Sequence, residues 1–324
     1  MRFAMTGATG FVGGALARLL VDRGHTVVAT VRSPDAPAAV ALAEVGVELA
    51  TAHLGDPDAL AAAFAGADGV FHVAGWYKTG AKDSSEAWSV NVDGTRTVLA
   101  AAAEAGDPKV VYTSTCAINS DTGGVVRDES FTFEGKHLTV YDESKARAHR
   151  IALGFARDEV LDVVIVMPGG IYGPGDTSTL GTMMREVAAG KRVIAPSSLR
   201  MVEAHVADVA EGHVLAMERG RSGESYMLAG EQTNAHALMT YVAELSGGHK
   251  PLDMPGPALS LMSRIVGPLG RVLPLPSEFS AEGLRAASAS YLGTPEKAIA
   301  ELGWSFRPLS EGIAETVASY GLQD

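Results

Sequence analysis

Near its start the chain reads Gly7-Ala8-Thr9-Gly10-Phe11-Val12-Gly13, a turn whose three glycines are spaced three residues apart. An apolar run at Arg2 to Thr6 precedes the turn, and a helical pattern follows it. Glycine lets the backbone turn tightly and brings free amide groups close to a pyrophosphate at a helix N-terminus. The same spacing also occurs in ordinary strand-to-helix turns. Its place in a strand-turn-helix unit favours a dinucleotide site, with predicted contacts from Gly7, Thr9, Gly10, Phe11, Val12 and Gly13.

Beyond this turn, the first half of the chain alternates short β-branched runs with alanine-rich helical stretches. This alternation is typical of a parallel sheet with helices on both faces. Because crossovers between parallel strands are right-handed, we predict an α/β fold with a doubly wound sheet. The predicted strands are Arg2–Thr6, Thr26–Val31, Val47–Thr51, Gly69–Val73, Lys109–Thr113 and Asp162–Met167. The predicted helices are Phe11–Arg23, Pro57–Phe64, Ser84–Ala105 and Val140–Arg157.

After Met167 the sequence changes character, because segments 168–170 and 173–175, rich in glycine and proline, break the alternation. A helix at Asp208–Met217 and a strand at Glu224–Leu228 are predicted to return to the sheet. The remaining C-terminal residues predict a smaller, discontinuous substrate lobe. The predicted nucleotide-binding domain comprises residues 1–170 and about 204–229, and the predicted lobe comprises about 171–203 and 230–324.

Composition limits the classes of partner. The chain has 324 residues, of which 47% are hydrophobic and 20% charged, as in ordinary folded proteins. A net charge of -12 without a Lys/Arg-rich block disfavours nucleic acids and anionic membranes. The single cysteine, Cys116, excludes an internal disulfide, and Met1 to Met5 leads into the turn without an apolar signal region. We therefore expect a cytoplasmic protein that acts on a small molecule.

The most apolar late stretch, Pro251 to Pro276, is interrupted by Arg264, Arg271 and several prolines. A membrane helix needs roughly 20 uninterrupted apolar residues, which this stretch lacks. We interpret it as part of a folded lid or lobe.

The end of the second predicted strand indicates which dinucleotide fits. An acidic residue there bonds a free ribose 2'-hydroxyl, whereas an arginine accommodates a 2'-phosphate. The segment Val27 to Ser33 contains no acid and one arginine, Arg32. We therefore expect NADP rather than NAD, with Arg32 on the phosphate and Ser33 beside it. The alternative is that Arg32 is only a solvated charge at a strand end.

Tyr141 and Lys145 lie four positions apart in a predicted helix and therefore project from one face. Free tyrosine has a pKa of about 10, so proton exchange near neutrality needs a nearby positive charge. The Lys145 ammonium, together with an oxidised nicotinamide, would lower the pKa of Tyr141. Thr115, which ends the hydroxyl run that begins at Thr113, would hold a substrate oxygen within reach. Such spacing is common on helix surfaces, but the three groups together predict hydride chemistry on a nicotinamide.

Seven segments follow one another in order: Gly7–Gly13, Val70–Gly75, Asn91–Thr95, Tyr112–Thr115, Tyr141 with Lys145, Pro168–Gly175 and His205–Val209. Together they resemble the extended short-chain dehydrogenases/reductases over nearly the whole chain. Within that family the chain is most similar to dihydroflavonol reductase-like and related epimerase-like members. The resemblance implies a Rossmann-type NAD(P)-binding domain, a C-terminal substrate lobe, and catalysis by Tyr, Lys and a Ser or Thr.

The resemblance also implies roles for particular residues. The catalytic hydroxyl is expected at Thr115, with Ser114 as the fallback. Asn91 matches a family asparagine near the active-site helix, where it serves either as a proton relay or as a side chain that bonds the helix. The usual acid after the third strand is absent, because the chain reads Ala52-His53-Leu54. The implied cofactor contacts outside the glycine turn are Arg32, His53, Leu54, Ala74, Lys145 and Pro168.

The loop after the fourth predicted strand, Trp76 to Gly80, is expected beside the nicotinamide, because ligands bind outside the carboxyl ends of strands. Its two aromatic residues suit a ring-bearing or apolar substrate, and the alternative is that they only fill gaps in the core. The predicted substrate contacts are Trp76, Tyr77, Thr115, Tyr141 and Gly170.

The residues after Thr115 argue against one reaction of the family. Relatives that dehydrate sugar nucleotides place an Asp-Glu pair there, because elimination of water needs an extra acid and base, whereas this chain has Cys116 and Ala117. Cys116 is interpreted as a small buried filler, because adjacent residues of an extended segment face opposite sides. His72 and His205 lack a second ligand at metal spacing, so no metal site is predicted.

The main prediction is an NADP(H)-dependent oxidoreductase that reduces a carbonyl, or oxidises a secondary alcohol, of a small ring-bearing or apolar substrate. One alternative is a nucleotide-sugar epimerase with tightly bound NAD, in which cationic side chains would face a diphosphate: Arg185, Lys191, Arg192 or Arg200. Another alternative is a non-catalytic protein that senses NADP(H). The two helices predicted at Ser84–Ala105 and Val140–Arg157 resemble the elements that pair relatives into homodimers.

Overall fold

The computed structural model describes residues 1–78, 81, 83–269 and 280–321. Its strands are β1 (Arg2–Thr6), β2 (Thr26–Val31), β3 (Glu48–Thr51), β4 (Gly69–His72), β5 (Lys109–Thr113), β6 (Val163–Pro168), β7 (Gly170–Tyr172), β8 (Arg200–His205), β9 (Ser225–Leu228), β10 (Glu231–Asn234) and β11 (Ser290–Tyr291). Seven of them form the main sheet, in the order β3-β2-β1-β4-β5-β6-β9, with every neighbouring pair parallel. The order reverses between β1 and β4, which is where doubly wound sheets bind their ligands.

Helices cover both faces of the main sheet, which explains why its strands are apolar on both sides. The helices are α1 (Phe11–Asp22), α2 (Pro37–Glu44), α3 (Pro57–Phe64), α4 (Ser85–Ala87), α5 (Gly94–Glu104), α6 (Val140–Arg157), α7 (Thr179–Ala188), α8 (Val206–Arg219), α9 (Ala235–Ser246), α10 (Gly256–Leu269), α11 (Ala281–Ala286) and α12 (Leu309–Ala318). Successive residues of β4 pack into two separate cores, one on each face of the sheet. Phe71 packs with Leu16 and Val214 on the α1 and α8 side, whereas Val70 packs with Leu99 on the α5 side.

The second sheet lies in the C-terminal part of the chain. Its central strand is β8, which pairs in parallel with β7 and β11 and antiparallel with β10. A third core joins this sheet to α7, α9 and α12 through residues such as Tyr172, Met184, Leu238 and Ile313. The chain returns from this sheet to the main sheet at α8, which starts directly after β8. The proposed division into a nucleotide-binding domain and a lobe stays a prediction.

The predicted α/β fold with a doubly wound, Rossmann-type parallel sheet is confirmed. The differences concern element ends: β3 begins at Glu48, and β6 runs over Val163–Pro168. The predicted helix over Ser84–Ala105 is interrupted by a π-helical segment, Trp88–Asp93, which joins α4 to α5. A π-helical turn admits an extra residue, and such turns are frequent at functional sites. Of the predicted lid, α10 is described, and residues 270–276 lie outside the described residues.

Candidate active site

The glycine turn connects β1 to α1 at the point where the strand order reverses. Gly7 has a φ of +78°, which favours glycine, and a Cβ at Gly13 would lie 2.1 Å from the Gly7 carbonyl oxygen. The Gly10 amide donates to that carbonyl over 3.0 Å, and no described side chain caps the first turn of α1. The first-turn amides therefore suit an anion such as a pyrophosphate. Thr9 is exposed, and Phe11 and Val12 are half-buried.

The predicted residues Arg32 and His53 follow strands on the same edge of the sheet. Arg32 comes directly after β2 and is exposed, and its guanidinium makes no hydrogen bond or ion pair with another described residue. His53 follows β3, is exposed, and accepts a hydrogen bond at Nδ1 from the Gly55 amide over 3.2 Å. Leu54 is half-buried against Gly94, where a Cβ would lie 3.0 Å from the Leu54 Cδ1 atom. The guanidinium of Arg32 is thus available to an external anion.

The carboxyl end of β4 is held by buried polar contacts. His72 is hydrogen-bonded through Nδ1 to the Thr6 hydroxyl (2.7 Å) and through Nε2 to the Thr95 hydroxyl (3.1 Å). Burial, with help from the charge of Lys145, lowers the pKa of His72 to about 3, so the ring is neutral. The Ala74 amide donates to the same Thr6 hydroxyl over 3.3 Å. His72 is therefore a hydrogen-bonding residue that fixes the loop leading into the site.

Tyr141 lies in the first turn of α6, which Thr139 caps by accepting a hydrogen bond from the Asp142 amide over 3.0 Å. The Tyr141 ring is half-buried and meets the Tyr77 ring edge-on, with 4.9 Å between the centroids. Burial raises the pKa of Tyr141, and repulsion from an ionised Tyr77 adds to this. A hydrogen bond with the Thr115 hydroxyl lowers the pKa in part. The structure therefore brings Thr115 next to the Tyr141 phenol.

Lys145, one turn further along α6, is buried and bound to the end of β5. Its ammonium donates to the Tyr112 hydroxyl (3.0 Å) and to the Thr113 carbonyl (2.7 Å). The same Nζ atom lies 4.7 Å from the centroid of the Tyr112 ring, a cation-π geometry. Burial lowers the pKa of Lys145 to about 7. The pKa of Tyr141 itself is raised, because burial is the largest influence on it. A lowering contribution from Lys145 stays a prediction.

The end of β5 presents its hydroxyls to different neighbours. Thr115 accepts a hydrogen bond from the Ala117 amide over 3.1 Å and caps a short 3-10 turn. Ser114 Oγ and His149 Nδ1 are hydrogen-bonded over 2.9 Å in the interior. Burial lowers the pKa of His149 to about 4, so this ring is also neutral. Of the two candidate hydroxyls, only Thr115 acts on the Tyr141 phenol.

Cys116 is buried, and its Sγ donates to the Met167 carbonyl over 3.2 Å. Burial raises the pKa of this thiol to about 12. A thiol that stays protonated is a poor nucleophile. These contacts agree with the interpretation of Cys116 as a buried filler.

Asn91 lies in the π-helical segment and connects the loop after β4 to α6. Its Oδ1 accepts from the Trp76 amide (2.7 Å), and its Nδ2 donates to the Trp76 carbonyl (3.1 Å) and to Ser144 Oγ (2.9 Å). Both amide hydrogens of Asn91 are therefore used within the chain. These contacts match the helix-bonding alternative, and a proton relay through Asn91 would require one of them to break.

The two aromatic residues after β4 have different environments. Trp76 is only 6% exposed, and its Nε1 donates to Glu86 over 3.1 Å. Tyr77 is 57% exposed and contacts the ring of Tyr141. Tyr77 thus borders the site directly, whereas Trp76 fixes the loop. Thr79 and Gly80, the end of that predicted loop, lie outside the described residues.

The segment after β6 also reaches this edge. Pro168 ends β6 and is buried, and Gly170 begins β7. A Cβ at Gly170 would lie 2.2 Å from Glu203 Oε1, so glycine is required opposite this carboxyl.

Sequence reasoning missed Glu203, although a lone acid in the apolar run Val202 to Val206 is a signal that could have found it. Tyr112, the partner of Lys145, was also missed, because nothing local indicates which residue the lysine reaches.

No group of three or more His, Cys, Asp or Glu within the described ranges is placed to hold a metal ion. The helices described there include none with the length and apolar character needed to cross a membrane.

Comparison with known proteins agrees with the geometry. A model of the NAD dependent epimerase/dehydratase family matches residues 3–229. The chain belongs to this family. It is an NAD(P)-dependent enzyme of the extended short-chain dehydrogenase/reductase type, acting on CH-OH or C=O groups.

Similar proteins within this family include both reductases and epimerases. The chain is 31% identical to a putative dihydroflavonol 4-reductase of Synechocystis sp., over 97% of this chain and 93% of the relative. Among solved structures, gox2253 has a TM-score of 0.85 at 33% identity, covering 98% of this chain and 97% of its own. PA4631, a nucleoside-diphosphate-sugar epimerase of Pseudomonas aeruginosa, has a TM-score of 0.79 at 26% identity, covering 99% and 97% of the two chains.

Proposed function

We propose that the chain reduces a carbonyl group of a small, ring-bearing or apolar substrate with NADPH, and oxidises the matching secondary alcohol in reverse. The observation that supports this most directly is that Tyr141 and Thr115 meet at the carboxyl end of β5, with Lys145 buried there too. The loop after β4 packs on the glycine turn, since a Cβ at Gly7 would lie 2.5 Å from the Ala74 amide nitrogen. The proton-transfer groups and the phosphate-binding turn thus share one edge of the sheet.

In this proposal a bound NADPH supplies hydride to the carbonyl carbon. Tyr141 donates its phenolic proton to the carbonyl oxygen as negative charge develops there, and Thr115 holds that oxygen by a hydrogen bond. Lys145, fixed by Tyr112 and the end of β5, provides a positive charge on the same helix face. The raised pKa of Tyr141 keeps the phenol protonated, which suits proton donation in the reductive direction.

The proposed preference for NADP rests on Arg32. This residue follows β2, is exposed, and has no partner among the described residues, so its guanidinium can meet a 2'-phosphate. Nucleotide fluorescence titration with NADPH and NADH tests the preference. Tighter binding of NADH would remove Arg32 as the selector.

The proposed substrate class rests on the aromatic residues beside Tyr141. Tyr77 is exposed and contacts Tyr141, and Tyr291 on β11 is half-buried and close to Tyr77. Aromatic rings of this kind bind flat or apolar groups well. A panel of aliphatic, alicyclic and aromatic aldehydes and ketones, assayed with NADPH, identifies the class.

Replacement of the phenol tests the chemistry itself. Tyr141→Phe is expected to retain NADPH binding and to lose turnover by roughly 100- to 10,000-fold, because the proton donor is removed while the ring is kept. Tyr241→Phe is the matched control, since its hydroxyl donates to the Ser310 carbonyl on α12 (3.3 Å), in the C-terminal part of the chain. Turnover that is unchanged in Tyr141→Phe would refute the proposal.

A nucleotide-sugar epimerase is the second candidate, favoured by the likeness to a nucleoside-diphosphate-sugar epimerase at 26% identity. Two of the cations that it would need are engaged within the chain. Arg185 donates to the Asp176 carbonyl and to Thr182 Oγ1, and Lys191 is paired with Glu186 at 3.3 Å. Arg192 and Arg200 have no such partner among the described residues. Tightly bound NAD in the purified protein, with binding of a nucleoside diphosphate sugar, would favour this candidate.

The oligomeric state and the cellular location are proposed from the sequence alone. A homodimer through α4 to α6 and a cytoplasmic location stay predictions, and gel filtration of the purified protein tests the former.

A further inference from the structure

Asp142 follows Tyr141 directly and lies in the same first turn of α6. It is 2% exposed, and its Oδ2 atom has no hydrogen-bond partner among the described residues. Its amide is bound to Thr139 Oγ1, which fixes the backbone at this point. Buried carboxylate oxygens ordinarily have partners, so an oxygen without one, in the residue next to the Tyr141 phenol, requires a physical explanation.

Three other elements pack against this carboxyl, and the groups they bring to it are neutral or acidic. Ser120 approaches from the segment after the 3-10 turn, Glu282 from α11 and Tyr291 from β11. Glu282 Oε1 also accepts a hydrogen bond from the Val140 amide over 2.7 Å. No basic side chain in the described part of the chain forms an ion pair with Asp142. Its negative charge is therefore not neutralised locally.

The same group of side chains borders Tyr141. The Tyr291 phenol is influenced by the carboxyl of Asp142, by that of Asp121 and by Tyr77. The Tyr77 ring in turn meets the Tyr141 ring edge-on at 4.9 Å. Asp142 is thus part of a group of side chains, with Tyr291 and Tyr77, that extends to the Tyr141 ring.

Charge on Asp142 acts on its neighbour in the helix. Burial raises the pKa of Asp142 to about 7, the Thr139 hydroxyl lowers it in part, and Glu282 raises it further. The carboxyl is therefore ionised mainly above neutrality. In that form it raises the pKa of Tyr141, whereas the cation of Lys145, three residues further along α6, favours the phenolate.

We propose that Asp142 is a positioning residue that acts through Tyr141: its carboxylate opposes the Lys145 ammonium and holds the phenol in its proton-donating form. This inference rests on the proposed function, in which Tyr141 gives a proton to the substrate oxygen. Its consequence is that reduction persists to higher pH, and oxidation requires higher pH, than the lysine alone would set.

Asp142→Asn tests this by removing the charge with almost no change in volume. The measurement is kcat/KM against pH, for reduction of the carbonyl that the panel identifies and for oxidation of its alcohol. The alkaline limb of reduction and the acid limb of oxidation are both expected to move to lower pH, by about one unit. Glu143→Gln removes an exposed charge from the same turn and is expected to move neither limb.

Glu282→Gln provides a second arm that is expected to leave both limbs in place. The amide oxygen still accepts the Val140 hydrogen bond, so the first turn of α6 keeps this contact. Asp142, whose pKa is about 7, is already ionised at the alkaline pH where the Tyr141 phenol titrates, so a lower pKa of Asp142 adds no charge there. A disturbance of the structure around α6 would move the limbs in both variants. Should Asp142→Asn fail to fold, Asp142→Ser removes the same charge and is expected to move both limbs in the same direction as Asp142→Asn.

A readout without substrate is the near-ultraviolet phenolate absorbance of the protein saturated with NADP+, taken as the difference from Tyr141→Phe. Asp142→Asn is expected to lower the midpoint of this titration. Unmoved midpoints and limbs would overturn the inference. If Tyr141→Phe loses turnover while Asp142→Asn changes nothing, the inference alone fails. If Tyr141→Phe keeps its turnover, the proposed function fails.

Discussion

The carboxyl ends of β4 and β5 differ from the second sheet in how their buried polar groups are bonded. At the ends of β4 and β5, both ring nitrogens of His72 are hydrogen-bonded, and Asn91 and Lys145 have partners within the chain. Beside the second sheet, both carboxylate oxygens of Glu203 are buried with no partner among the described residues, as is the hydroxyl of Tyr320. A buried polar atom without a partner has lost its contacts with water and gained nothing in return.

The difference teaches which part of the molecule is held in one arrangement by its own interactions. Fully bonded polar groups at the ends of β4 and β5 have a single satisfactory geometry, so they position the residues near the glycine turn precisely. The second sheet carries polar groups that weaken it by themselves. We therefore expect replacement of a buried polar group to lower the unfolding free energy at the ends of β4 and β5. Beside the second sheet, the same kind of replacement should raise the unfolding free energy or leave it nearly unchanged.

The largest effect is expected at Glu203, where burial and the charge of Asp176 raise the pKa from its usual 4.5 to about 8. A carboxyl whose pKa is raised by folding stabilises the protein fully below pH 4.5, and this contribution is lost as pH rises through about 8. Glu203→Gln removes that dependence. Relative to the native chain, the variant should gain about 2 kcal/mol or more of unfolding free energy between pH 5 and pH 9.

Urea denaturation at the two pH values measures this gain. Glu244→Gln is the control, since Glu244 is an exposed acid of the same part of the chain, paired with Lys250 at 3.0 Å. Equal pH dependence in Glu203→Gln and in the native protein would show that Glu203 is not a buried, proton-binding carboxyl.

A smaller loss is expected when a satisfied group loses its partner. Thr95→Val keeps the shape of the side chain but leaves His72 Nε2 buried without a hydrogen bond. The unfolding free energy should fall by about 1 to 2 kcal/mol. Thr97→Val is the control, because the Thr97 hydroxyl bonds the Asp93 carbonyl at an exposed position. A loss no greater than that of the control would contradict the contrast between the two regions.

The smallest effect is expected at Tyr320, whose buried hydroxyl has no partner among the described residues. Tyr320→Phe should change the unfolding free energy by less than about 0.5 kcal/mol, or increase it slightly. Tyr226→Phe is the comparison, since its hydroxyl donates to Glu301 over 3.0 Å and accepts from the Arg221 amide. Thermal unfolding of both variants measures the difference, and a clear loss in Tyr320→Phe would mean that its hydroxyl is bonded after all.

Much of the fold was predictable from local patterns. The glycine turn, the seven predicted strands within one residue of their observed ends, and the helix that contains Tyr141 follow from residue spacing and from runs of β-branched residues. The π-helical segment at Trp88–Asp93 was not predictable, because an inserted residue leaves no clear mark in an alanine-rich helix. The proximity of Thr115 to Tyr141 was expected from the combination of motifs and from the resemblance, and not from a local pattern, since the two residues belong to different elements.

The sequence by itself determined that Tyr141 and Lys145 share a helix face and that the turn at Gly7 can bind an anion, because helix periodicity and glycine conformation depend on a few consecutive residues. Only the tertiary structure decided that Lys145 is bound to Tyr112, and that Asp142 is buried among acids and phenols. Such neighbours come from segments far apart in the chain, and burial among them is what sets the pKa of each group.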